Sequence, residues 1–106
     1  MKELLGQIDK PGVIESSCIL QGAEISVSTF VSRNHETVAK KAFSYVFQNV
    51  TKLRTKHDEA HLEIGGKRLS GFMLQDQRVL ICMSDKNTNV SLVRDHIYLL
   101  KPKVEA

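Results

Sequence analysis

RVLICMSDKNTNVSLVRDHI, residues 78–97, decides the fold. Laid out as a strand, RVLICMS is apolar on both faces: Val79, Ile81 and Met83 point one way, Leu80 and Cys82 the other. Such a strand belongs in the middle of a sheet covered on two sides. The second half opens a helix, NVSLVRDHIYLLK, with Val90, Val93, Ile97 and Leu100 on one stripe. Pro102 is expected to stop it. Between the two lies SDKNTN. Its Asn and Asp-Lys residues superficially resemble a nucleotide-binding loop. It has no glycine to let a phosphate approach the backbone closely, so it reads as a strand-to-helix joint in which Asn87, Thr88 or Asn89 caps the helix. A cap of this type is worth about 1 kcal/mol.

Working outward, EAHLEIGGKRLSGFML reads as two strands around Gly65-Gly66. That pair predicts a type I′ hairpin, which needs positive φ at both central residues. A further turn is expected at Asp76-Gln77. Upstream, SRNHETVAKKAFSYVFQNVTKLRTK predicts a helix over roughly 34–56, with Ser32 or Asn34 as N-cap and Glu36 in the first turn. GVIESSCIL and AEISVSTF are strands joined at Gln21-Gly22. In the second of these, Ile25 and Val27 are expected to point one way and Glu24, Ser26 and Ser28 the other, which suits an edge. MKELLGQIDK is a short helix ended by Pro11-Gly12. The order α-β-β-α-β-β-β-α predicts an α+β domain with a five-stranded antiparallel sheet and helices on its faces.

At 106 residues the chain is one domain, 1–106, with room for a single modest core. Its apolar runs are too short to span a membrane, and its N-terminus lacks the apolar stretch of a signal peptide. A cytoplasmic protein is expected. Cys18 and Cys82 sit in apolar segments and read as buried small hydrophobes. The four histidines show no ligand spacing, so no metal and no cofactor is expected. The net charge of +3 is spread along one helix and the C-terminal KPK. Without a dense basic stripe interleaved with aromatics, it does not predict nucleic-acid binding. No nucleophile elbow, P-loop, dinucleotide fingerprint or zinc-protease motif is present. His61 and Glu63 would share one strand face and could form an acid-base pair, but an exposed strand edge is the simpler reading.

The long helix is the most informative element. Its apolar positions from Val38 round to Phe47 sweep about 180° at 100° per residue, whereas one sheet face needs an arc nearer 100°. Ala39, Ala42, Val46, Val50 and Leu53 suffice for the sheet. Phe43 and Phe47 then lie toward one flank and Tyr45 toward the other, which fits either a deeply set helix or a flank that anchors a second protein. The hairpin strand EAHLEIG adds a free edge that could pair with a copy of itself. The expected dimer interface is Phe43, Phe47, Val50, His61, Leu62, Glu63 and Ile64.

PGVIESSCIL followed by QGAEIS, the long helix after them, and RVLICMSDKNTNVSLVRDHI together resemble the roadblock/dynein light-chain domain family. The likeness runs over the whole chain. It departs at the first turn, where LQG stands in place of the family's frequent D-x-x-G. The resemblance implies a three-layer sheet close to the profilin-like fold, in strand order 2-1-5-4-3, with the long helix on one face and the terminal helices on the other. It implies a dimer through the third strands and long helices. It also implies a non-enzymatic regulator or scaffold of small Ras-like GTPases or, alternatively, a light-chain-type adaptor in a motor or filament complex. An arginine finger would have to come from Arg33, Arg54 or Arg94.

Overall fold

The computed structural model describes the backbone of residues 2–52, 59–74 and 78–105, and the side chains of these except Lys2 and residues 47–52. The elements are α1 (Lys2–Ile8), β1 (Ser16–Gln21), β2 (Glu24–Ser28), α2 (Arg33–Lys52), β3 (Glu59–Ile64), β4 (Lys67–Met73), β5 (Val79–Asp85) and α3 (Val90–Glu105). The expected helix end at residue 56 and the turn at Asp76-Gln77 lie outside the described residues.

Two-sided apolarity puts β5 at the centre. The sheet runs β2-β1-β5-β4-β3 and is antiparallel throughout. This is the order that the resemblance implies. On one face Leu80 and Cys82 of β5, Ile19 of β1 and Phe72 of β4 pack against Leu5 and Ile8 of α1 and Val93, Ile97 and Val104 of α3. On the other, Val79, Ile81, Met83, Cys18, Leu20 and Leu69 meet Ala39 and Phe43 of α2.

Polar contacts fix the layers. The Asp9 carboxylate, just past α1, accepts hydroxyls from Ser17 and Thr29, both at 2.7 Å. His96 Nε2 of α3 donates to the Ile8 carbonyl at 2.8 Å and ties the two helices of that face together. Ser32 proves to be the N-cap of α2, its hydroxyl accepting the His35 N–H at 3.3 Å.

Four local expectations are corrected. A bulge between Ile19 and Leu20 shifts the β1–β2 register, so Val27 packs toward α1 and α3 while Ile25 packs toward α2; they do not share a face. In the Gly65-Gly66 hairpin only Gly65 has positive φ (59°), the pattern of a type II′ rather than a type I′ turn. Pro102 does not stop α3, which runs on to Glu105. That last turn is held by tertiary contacts: Val104 is fully buried and its carbonyl accepts from Arg78 at 3.2 Å. Phe43 faces the core, as described next.

Candidate functional site

The two faces of the sheet are covered unequally. Five strands at about 4.8 Å spacing span about 19 Å, and a helix with its side chains is only about 10–12 Å wide. Two helices can cover one face; α2 alone cannot cover the other. Among the described residues, the margin that α2 leaves uncovered includes β3. Ala60, Leu62 and Ile64 point to the α2 side and stay half-buried, as does Val46 of α2. β3 is also an edge strand, so one side of its backbone pairs with β4 and the other is open among the described residues.

Of the expected interface residues, Leu62 and Ile64 lie on this margin, and His61 and Glu63 line the same edge on the opposite face. Phe43 is corrected. It is 1 % exposed, in the core with Ala39, because the buried stripe of α2 runs Ala39, Phe43, Val46 and not Ala39, Ala42, Val46. A side chain so enclosed cannot anchor a partner directly. Phe47 and Val50 belong to α2, but their side chains lie outside the described residues. Tyr45 is 71 % exposed on the outer face of α2, beside a shallow cleft of about 290 Å³ formed with Ala23, Lys40, Lys41 and Ser44.

The far side of β3 carries a polar network that the sequence reading missed. Glu59 is its hub. Arg94 of α3 donates from Nε (3.1 Å to each oxygen) and from Nη2 (3.0 Å); Tyr98 donates its hydroxyl at 3.0 Å. His61 Nε2 stands 2.9 Å from the same carboxylate and its Nδ1 2.8 Å from the Ser70 hydroxyl. Desolvation by itself pushes the Glu59 carboxyl up, but hydrogen bonds from Arg94, His61 and Tyr98 together with the Arg94 charge hold it below its ordinary value. His61 and Glu63 do share a face, yet His61 is paired with Glu59 instead. The available signal was the i, i+2 spacing of Glu59 and His61; the helix partners, 35 and 39 residues away in sequence, left none.

The SDKNTN loop is built as a joint. Asn89 Oδ1 accepts the Ser91 N–H at 2.8 Å, and the Asp85 carboxylate accepts the Asn87 N–H at 2.9 Å. Arg68 of β4 clamps the loop from below, donating to the carbonyls of Lys86 (2.8 Å) and Thr88 (2.5 Å). The possible finger arginines are distributed apart: Arg94 is engaged by Glu59, Arg33 opens α2 on the surface, and Arg54 lies outside the described residues.

Cys18 and Cys82 are buried free thiols on neighbouring strands, facing opposite layers. Burial, reinforced by the Glu36 charge, pushes the Cys18 thiol up to about 12, and burial pushes Cys82 up likewise. Among the described residues no group of three or more His, Cys, Asp or Glu side chains is placed to hold a metal ion, and no helix is long and apolar enough to cross a membrane.

No family model and no curated protein matches the sequence. Solved structures do match the fold. MglB of Myxococcus xanthus is 17 % identical with a TM-score of 0.74, over 98 % of this chain and 90 % of that one. A Roadblock/LC7 domain from Streptomyces avermitilis is 10 % identical with a TM-score of 0.78, over 98 % and 93 %. An MglB "with tetrameric arrangement" is 10 % identical with a TM-score of 0.73, over 97 % and 83 %. The chain has the roadblock/LC7 fold.

Proposed function

We propose that this chain is a non-catalytic, cytoplasmic binding module that forms a homodimer and regulates or scaffolds a small Ras-like GTPase. The observation that carries the reading is the open edge of β3, with half-buried Leu62 and Ile64 beside the margin that α2 leaves uncovered. Pairing β3 with β3 of a second copy satisfies the edge and brings the two α2 helices together over the joined sheet. A stable interface of this kind buries on the order of 1,200–2,000 Å² in total. The likeness to an MglB in a tetrameric arrangement supports self-association, and the roadblock resemblance supports the GTPase class of partner.

The mechanism is conformational. A preformed surface spanning both copies binds one nucleotide state of the GTPase better than the other and shifts its equilibrium. In this reading nucleotide chemistry stays with the partner; of the three candidate finger arginines, Arg94 is engaged by Glu59.

Sedimentation of the wild type at micromolar concentration should show a dimer, and Leu62→Glu, which places a charge in the apolar margin, a folded monomer. A wild-type monomer would overturn the dimer. Binding to a small GTPase encoded in the same genome, loaded in turn with GDP and a GTP analogue, should differ at least tenfold between the two states. Equal affinity would leave the structural light-chain-type adaptor as the reading.

A further inference from the structure

The β3 edge specifies how two copies would align. In the two-residue hairpin Ile64 and Lys67 close the turn as a hydrogen-bonded pair. Alternation then directs the backbone groups of Ile64, Leu62 and Ala60 toward β4, and those of Glu59, His61 and Glu63 toward the open side. A second antiparallel copy must bond through those same three residues. A two-fold axis therefore passes midway between the two copies of one residue of β3, which pairs with itself, and the side chains select which.

Centred on His61, the pairing sets Glu59 against Glu63 twice, like charge on like. Centred on Glu63, it stacks two Glu63 carboxylates on the axis. Centred on Ala60, it pairs only residues 59–61 of the described strand. Centred on Leu62, it sets Leu62 against Leu62, Ala60 against Ile64, and His61 against Glu63, so both faces are complementary. Resting on the homodimer reading above, we propose that the two copies join β3 to β3 with Leu62 on the two-fold axis, and that His61 facing the partner's Glu63 makes the dimer tighten as His61 gains a proton.

The site accommodates that proton. A carboxylate only accepts, so His61 donates from Nε2 to Glu59 in either state, while the Ser70 hydroxyl can donate to Nδ1 or accept from Nδ1–H. The charged and titratable groups around His61 are Glu59 and Glu63 on its own strand, Arg68 on β4, and Arg94 and Tyr98 on α3. Arg94 is spent on Glu59, and Arg68 on the carbonyls of residues 86 and 88. Glu63 is exposed and forms no ion pair among the described residues. It is the carboxylate left to meet the incoming imidazolium.

The sign follows. The dimer favours protonated His61 relative to the monomer, because only the dimer sets the partner's Glu63 beside it, so the gain is present at acid pH and lost as the imidazole gives up its proton. Two cross-strand pairs should tighten the dimer by roughly 2- to 30-fold between pH 8 and 5.5. Sedimentation equilibrium reads this directly, and His61→Gln and Glu63→Gln should each remain dimeric with a flattened pH response. The register is read separately. Under oxidised glutathione as electron acceptor, Leu62→Cys should crosslink to itself, its Cα atoms about 4.5 Å apart; His61→Cys, with Cα atoms about 7–8 Å apart on the diagonal, should not. A wild-type dimer with no pH dependence, an unchanged response in either glutamine variant, or crosslinking through position 61 overturns this inference and leaves the homodimer standing. A monomer at every pH overturns both.

Discussion

Behind the sheet, α1 and α3 set Leu5, Ile8, Val93, Ile97 and Val104 fully into the core; in front, among the described side chains, α2 sets Ala39 and Phe43. The back is closed by a helix pair, itself tied by His96 and the Ile8 carbonyl. The front leaves Ile25, Ala60, Leu62, Ile64 and Met73 half-buried around a single helix. The same strands feed both faces, so the difference comes from how many helices the chain supplies to each. A face short of one helix is where the proposed second copy would complete the layer.

The largest effects should come from β5, where adjacent residues serve opposite faces. Leu80 and Ile81 are both fully buried, the first toward α1 and α3, the second toward α2. Leu80→Ala and Ile81→Ala should each cost about 2–5 kcal/mol in urea melts. Ile81→Ala should fall toward the lower end, because the neighbours on the front are less confined and can close the cavity. If Leu80→Ala proves the milder of the two, the front is the better-packed layer and the comparison reverses.

This contrast also marks what the sequence could and could not tell. The unbroken apolar run in RVLICMS placed β5 at the centre, since few arrangements tolerate a strand apolar on both sides. Element order followed from turn residues and helical spacing. What failed was direction within an element. An apolar arc of about 180° on α2 has no intrinsic zero, so Phe43 could be assigned to the flank or the core with equal periodicity; only contact with Leu69 and Ile81 fixes it. The bulge at Ile19 was silent because Ile25 and Val27 alternate in sequence whether or not the register shifts. The Glu59 hub was silent for another reason: its partners Arg94 and Tyr98 are neighbours only after β3 and α3 have packed.

That hub supplies a middle-sized test of the back face where it meets the β3 edge. Glu59→Gln should lower stability by about 1–2 kcal/mol at pH 7, since hydrogen bonds to a charged group are worth more than neutral ones while partial exposure screens the ion pair. The Glu59 carboxyl titrates below its ordinary 4.5 in the folded chain. Its contribution is therefore fully present above about 4.5 and lost as pH falls through the folded value. Urea midpoints of wild type and Glu59→Gln, compared from pH 7 down to 3, should converge at the acid end. A constant gap would mean that shape rather than charge holds β3 against α3.

The smallest expected effect lies in the loop joining the central strand to the back helix. Asn89 accepts the Ser91 N–H and so satisfies one of the donors that a helix start leaves unpaired. Asn89→Ala should cost about 1 kcal/mol and Asn89→Ser only a few tenths, because serine caps nearly as well. Neither change should alter dimerisation or partner affinity, since the loop is clamped by Arg68 and Asp85 whatever stands at position 89. The measurement is a pair, stability and binding, on the same variants. If Asn89→Ser keeps its stability and loses tenfold or more in partner binding, the amide is a contact and not a cap. The front would then no longer suffice as the proposed docking face, and the loop at the end of β5 would have to be counted with it.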